Sequence, residues 1–262
     1  MKKLENPFLF AAKFLVLFFP VLILASCGGG PSAPAVVVTY PGLVGIDDTN
    51  ANEPILTIYY HEPPSLIEVK AQIASDFSSD GDIEFDPVTS TYVITQNASP
   101  PEYFFGEDSS NADLPEFRAF FDFPLDGSTH QPIIPTDAVI DSATLSVFID
   151  QVSFASTVPT FIDLVQYTPG SGGLIATDFS ESPLTPVISG GVNSIAFTFL
   201  STDQGTFVPP IDVTPLMQEA QDPGVQSLND FQLRFVVQSL ASGLRTTVKV
   251  KRATGPSPRK PK

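Results

Sequence analysis

The sequence predicts an all-β chain, an antiparallel β-sandwich or jelly roll with one short helix. Three observations carry that expectation. Apolar and polar residues alternate with period two in one segment after another, the mark of strands with a dry face and a wet face. The 26 Pro and 17 Gly cut the chain into short elements and oppose long helices. A single stretch carries helix signals, and no repeat of roughly 20–50 residues recurs, so solenoids and propellers are excluded. With 42% apolar and 16% charged residues over 262 positions, the chain has enough apolar surface for a sizeable core.

The strands follow from the alternation. In Ala143–Asp150 the inward set is Ala143, Leu145, Val147 and Ile149, with Thr144, Ser146 and Asp150 outward. Phe231–Gln238 turns Phe231, Leu233, Phe235 and Val237 inward against Gln232, Arg234 and Gln238. Ser194–Phe199 buries Ile195, Phe197 and Phe199. Phe117–Phe123 points Phe117, Ala119, Phe121 and Phe123 one way, with Arg118 and Asp122 on the wet side. Fainter strand patterns occupy 36–40, 55–60, 66–73, 92–95, 161–167 and 245–251. The helix starts at Thr214 as N-cap with Pro215 in its first turn, and Asp222-Pro223-Gly224 stops it.

Residues 1–26 read as a secretion signal. Lys2, Lys3 and Lys13 form the positive start, and Phe14–Ala25, interrupted by Pro20, the apolar run. That run is shorter than the about 20 residues of a membrane-spanning helix. Leu24-Ala25-Ser26-Cys27 resembles the lipobox of bacterial lipoproteins. The resemblance implies cleavage before Cys27, acylation of its thiol and a membrane reached through that lipid anchor. Gly28, in place of an Asp, implies a cell-envelope location at the outer membrane in a two-membrane bacterium. Residues 27–35, with Gly28-Gly29-Gly30-Pro31, are a flexible tether. The alternative is an ordinary signal peptide followed by a chance cysteine. Cys27 is the only cysteine, so a disulfide framework is excluded.

Charge narrows the partners. Thirteen basic against 29 acidic residues give a net charge of −16, which argues against nucleic acid. Between Cys27 and Val248 only Lys70, Arg118, Arg234 and Arg245 are basic. The end of the chain reverses sign, and residues 253–262 form a basic, Pro-rich tail. That tail either meets lipid phosphates or an acidic partner, or is a frayed end behind a strand decorated by Lys249 and Lys251.

Four pieces in order resemble the jelly-roll domain labelled DNRLRE, which is related to a carbohydrate-binding module family. They are Gly81-Asp82-Ile83; Gly106–Asn111 followed by Phe117–Phe123; Ile134-Pro135 with Ala138-Val139-Ile140 and Ser142–Leu145; and Ile211-Asp212-Val213-Thr214 with Phe231–Arg234. The resemblance covers roughly residues 80–251. It implies a jelly-roll domain over 80–252, with residues 36–79 adding edge strands or a flanking layer of the same sandwich. Its glycan-binding members use exposed aromatic or basic residues. This chain has no Trp and few basic residues, so an anionic glycan is disfavoured.

Candidate chemistry is sparse. His61 and His130 lack a His partner at metal-ligand spacing and read as solvated loop residues. No nucleophile elbow, zincin motif, P-loop or dinucleotide fingerprint occurs. Three functions stay open. The leading one is a non-catalytic, membrane-anchored lipoprotein whose sandwich serves binding or adhesion, to a neutral glycan or a protein. The second is a structural or assembly lipoprotein of the envelope. The third is a glycoside hydrolase with paired carboxylates. Glycan binding needs exposed aromatics, for example Tyr59, Tyr60, Tyr103, Phe104 or Phe105, each of which edge packing in the core would equally explain. No cofactor is required, although two acidic stretches offer oxygens at calcium-like spacing. They are Asp76 with Asp80, Asp82, Glu84 and Asp86, and the better set, Glu107, Asp108, Asn111 and Asp113. The competing reading of both is a solvated acidic face.

Overall fold

The computed structural model describes residues 42–167, 173–186, 190–221 and 228–238. The lipobox with Cys27, the strand patterns at 36–40 and 245–251, the helix stop at 222–224 and the basic tail lie outside the described residues. Fourteen strands appear among the described residues, in two antiparallel sheets with one α-helix, so the chain is an all-β sandwich. In chain order they are β1 (Leu43–Asp47), β2 (Ile55–His61), β3 (Val69–Ala74), β4 (Gly81–Asp86), β5 (Thr91–Gln96), β6 (Glu102–Glu107) and β7 (Glu116–Pro124). Then come β8 (Val139–Ser146), β9 (Phe148–Ser153), β10 (Thr157–Val165), β11 (Ser194–Leu200), β12 (Thr206–Phe207), β13 (Ile211–Asp212), α1 (Thr214–Gln221) and β14 (Asp230–Val237).

The large sheet has the order β11-β10-β14-β7-β6-β1-β9-β12, with β4 added on β7 and β5 on β4. The small sheet is β13-β8-β2-β3. The strand β7 meets three partners. Glu116 and Phe117 face β6, Ala119–Pro124 face β14, and its other edge takes β4. Residues 43–74 do not merely flank the sandwich. β1 lies between β6 and β9, and β2 between β3 and β8, so only β3 of this group is an edge strand.

The alternation in 143–150 is real, but the segment is two strands. It passes from the small sheet to the large one at Val147, and Ala143, Leu145, Val147 and Ile149 all stay in the core. Phe121, Phe123, Phe231, Leu233, Phe235 and Phe199 complete the inter-sheet core, with Phe121 and Phe235 edge to face at 5.6 Å.

The expected wet face of β7 and β14 is dry. Asp122, Gln232 and Arg234 are buried, and Phe120 packs on that side with Ile83, Val165, Tyr167, Leu174 and Phe179. The reason is a cover that periodicity does not reveal. A 3-10 turn, Ala176–Ser180, is held against the outer face by two guanidinium groups. Arg234 donates to the carbonyls of Asp178, Phe179 and Glu181. Arg118 donates to the Phe179 carbonyl, stacks 4.0 Å over the Phe179 ring and forks onto Glu116.

The helix begins differently from expectation. The Thr214 hydroxyl accepts from Ala143 N–H at 2.9 Å, tying α1 to β8, while Asp212 accepts the Thr214 N–H at 3.0 Å. Local sequence marks the helix start, but the tertiary partner takes the hydroxyl.

Candidate functional site

On the outer face of the large sheet, β9, β1 and β6 run side by side. The register sets Gly45 between Phe104 and Gln151, and Asp47 between Glu102 and Phe148. Gly45 is the floor. A methyl group there would meet Glu102 Oε1 at 2.5 Å, the Phe104 ring at 3.0 Å and Gln151 Cγ at 3.1 Å. Glu102, Phe104 and Gln151 therefore converge over Gly45 and fill the space above it, leaving no room for a side chain there. The Phe104 ring stands edge to face with Phe117, centroids 6.1 Å apart, and both rings are half-buried.

Phe117 was expected in the core with Ala119 and Phe121. It lies instead half-buried opposite Gly106, two residues along β6 from Phe104; Gly106 has a φ of +117°, which favours glycine.

The carboxylates of this face are crowded. Burial pushes the Glu102 carboxyl up to about 7, reinforced by Asp150, which hydrogen-bonds it, and then by Asp47 and Asp82. Asp82 accepts the Phe104 N–H at 2.8 Å and is itself raised to about 6, chiefly by burial. The face thus combines apolar rings, an amide and carboxyl groups that both donate and accept near neutrality.

The other aromatic candidates separate cleanly. Tyr60, Tyr103 and Phe105 are core residues, whereas Tyr59 and Phe104 are half-exposed. Basic side chains are equally committed. Among the described residues the cations are Lys70, Arg118 and Arg234; the two arginines clamp the 3-10 turn, and Lys70 lies 5.8 Å over the Tyr59 ring.

The acidic stretches are built into turns and walls. Asp108 Oδ1 accepts Ser110 N–H at 2.9 Å and Ser110 Oγ–H at 2.6 Å, and Asn111 Oδ1 accepts Asp113 N–H at 3.0 Å. Glu107 ends β6, donating its N–H to the Gly42 carbonyl. Asp86 caps the β4–β5 turn through Val88 and Thr89. Asp80 and Asp82 do not form a solvated face. Asp80 is fully buried and accepts the Asp122 N–H at 2.7 Å. Among the described residues no three His, Cys, Asp or Glu side chains are placed together to hold a metal ion. His61 lies at the end of β2 and pairs with Asp141 at 3.0 Å, while His130 sits in a turn.

The sequence pointed to Phe104 but missed Gly45, Glu102, Asp150 and Gln151. Alternation within 102–107 places Glu102 and Phe104 on one side, and that signal was readable. The approach of β1 and β9 is non-local and was not. A search of protein families, of curated proteins and of solved structures finds no match for the chain.

Proposed function

We propose that this chain is a non-catalytic lipoprotein of the cell envelope, anchored through Cys27, whose sandwich binds neutral glycan on the β9-β1-β6 face. The observation that carries the reading is the convergence of Glu102, Phe104 and Gln151 over Gly45. A sugar ring offers a C–H face to aromatic rings and hydroxyls to carboxyl and amide groups. With both described arginines engaged elsewhere and acidic groups around the floor, an anionic sugar is repelled and a neutral one is not. The rest of the DNRLRE-like body then serves as a scaffold.

An envelope-protein partner is the second reading, favoured by a different observation. Leu66 and Ile67 are 87% and 76% exposed in the β2–β3 connection. The register brings exposed Val69 and Val139 to the same end of the small sheet, beside Tyr60 and His61.

A glycan array probed with the full chain, alongside a pull-down of envelope proteins, tests the two readings together. Neutral-glycan signals that vanish in Phe104→Ala support the first; a blank array with a protein captured through Leu66 and Ile67 supports the second. The anchor is tested apart, by alkyne fatty-acid labelling. Wild type is expected to take the label and Cys27→Ser to lose it.

A further inference from the structure

We propose that β5 is the edge through which two copies of this chain join into a continuous sheet. Among the described residues β5 pairs with β4 along one side only, in an unbroken register from Gly81↔Gln96 to Asp86↔Thr91. No described strand occupies its other side, whose backbone donors and acceptors a further strand would complete.

The strand carries none of the usual protections. Thr91-Tyr92-Val93-Ile94-Thr95-Gln96 has no charge, no Pro and no bulge. Val93 and Ile94 are exposed, and Tyr92 is partly exposed with its ring packed on Phe85 and Phe179, so the strand presents apolar side chains at the edge. The other edges differ. β3 carries exposed Lys70 with Glu68 just before it, β12 has two residues, and β11 turns Ile195 and Phe197 onto the core.

The occupant follows from charge. Acidic residues far outnumber basic ones in the body, so most approaches of one copy to another bring like charges together. Residues 87–101 contain no charged side chain. An uncharged strip offers nothing to a basic partner, and it lets an identical acidic body approach without repulsion.

The strand also suits itself. Antiparallel pairing about a two-fold axis at Val93 sets Val93 against its own counterpart, Tyr92 against Ile94 and Thr91 against Thr95. These are β-branched and aromatic cross-strand pairs of the favourable kind. A six-residue ribbon is smaller than the about 1,200–2,000 Å² of a standard interface, so the pairing is weak and reversible in dilute solution.

Cysteine cross-linking of the full chain in the cells that produce it tests the proposal. Val93→Cys is compared under mild oxidation with wild type, whose only cysteine is Cys27, with Thr91→Cys, which this register keeps out of disulfide reach of its counterpart, and with Val139→Cys on the other sheet. The expected result is a covalent species of twice the chain mass, strongest at 93 and lost when Thr95→Lys is added. An adduct of any other mass at 93, a ladder of higher species, or equal cross-linking at 139 would overturn the proposal. So would the absence of an adduct at 93.

Discussion

Arg234 Nη2 lies 2.7 Å from Asp163 Oδ2, and both side chains are buried on the outer side of the large sheet. The pair joins β14 to β10, and the same guanidinium holds the 3-10 turn by three carbonyls. Removing one partner leaves the other charge uncompensated. Arg234→Ala is expected to destabilise by about 3–5 kcal/mol in urea unfolding, and the double variant Arg234→Met with Asp163→Leu to recover most of that. Equal losses in the single and double variants would mean that packing, not charge, holds the turn.

Stability should fall as pH rises through neutrality. Burial holds Asp48 and Asp122 at about 7, Asp82 at about 6 and Asp80 well above the ordinary carboxylate value, with Asp48 adding to the effect at Asp80. The folded chain therefore keeps protons that the unfolded chain releases above about 4. The stabilisation from those protons is complete below about 4 and is lost between about 4 and 7. Melting is expected at a higher temperature at pH 5 than at pH 8. Asp80→Asn, which keeps an acceptor for the Asp122 N–H, should raise the pH 8 value and flatten the profile. A profile as steep as wild type in that variant would place the cause in overall net charge.

Calcium is expected to leave the fold unchanged. Asp108 and Asn111 already accept the donors of their own turn. An ion binding the folded state at a hundredfold excess over its Kd would add about 2.7 kcal/mol. Melting curves with calcium and with chelator should superimpose, and Asp108→Asn should shift both alike. A calcium-dependent rise of several degrees, abolished by Asp108→Asn, would establish the Glu107–Asp113 loop as an ion site.

The sandwich itself was legible because alternation reports burial on one face. Leu145 and Phe121 are core residues as read, and Thr144 lies on the opposite side of its strand. The second cover was not legible. Arg234 and Asp122 look like wet-face residues in any local window, and only the distant 176–180 turn makes their side dry. The candidate face was half readable for the same reason. Phe104 could be named from its own strand, whereas Gly45 acquires meaning only when β1 is seen between β6 and β9.

A neutral glycan docked against Phe104 on the β9-β1-β6 face is tested by titration calorimetry with the strongest neutral glycan from the array. Wild type is compared with Phe104→Ala, with Glu102→Gln and with Phe154→Ala, which removes an exposed aromatic ring in the β9–β10 connection. Stacking on one ring and one well-placed polar contact are each worth on the order of 1 kcal/mol. The expected result is a several-fold or greater loss of affinity in the first two variants and wild-type affinity in the third. Unchanged binding in Phe104→Ala and Glu102→Gln would place the glycan elsewhere than on the β9-β1-β6 face.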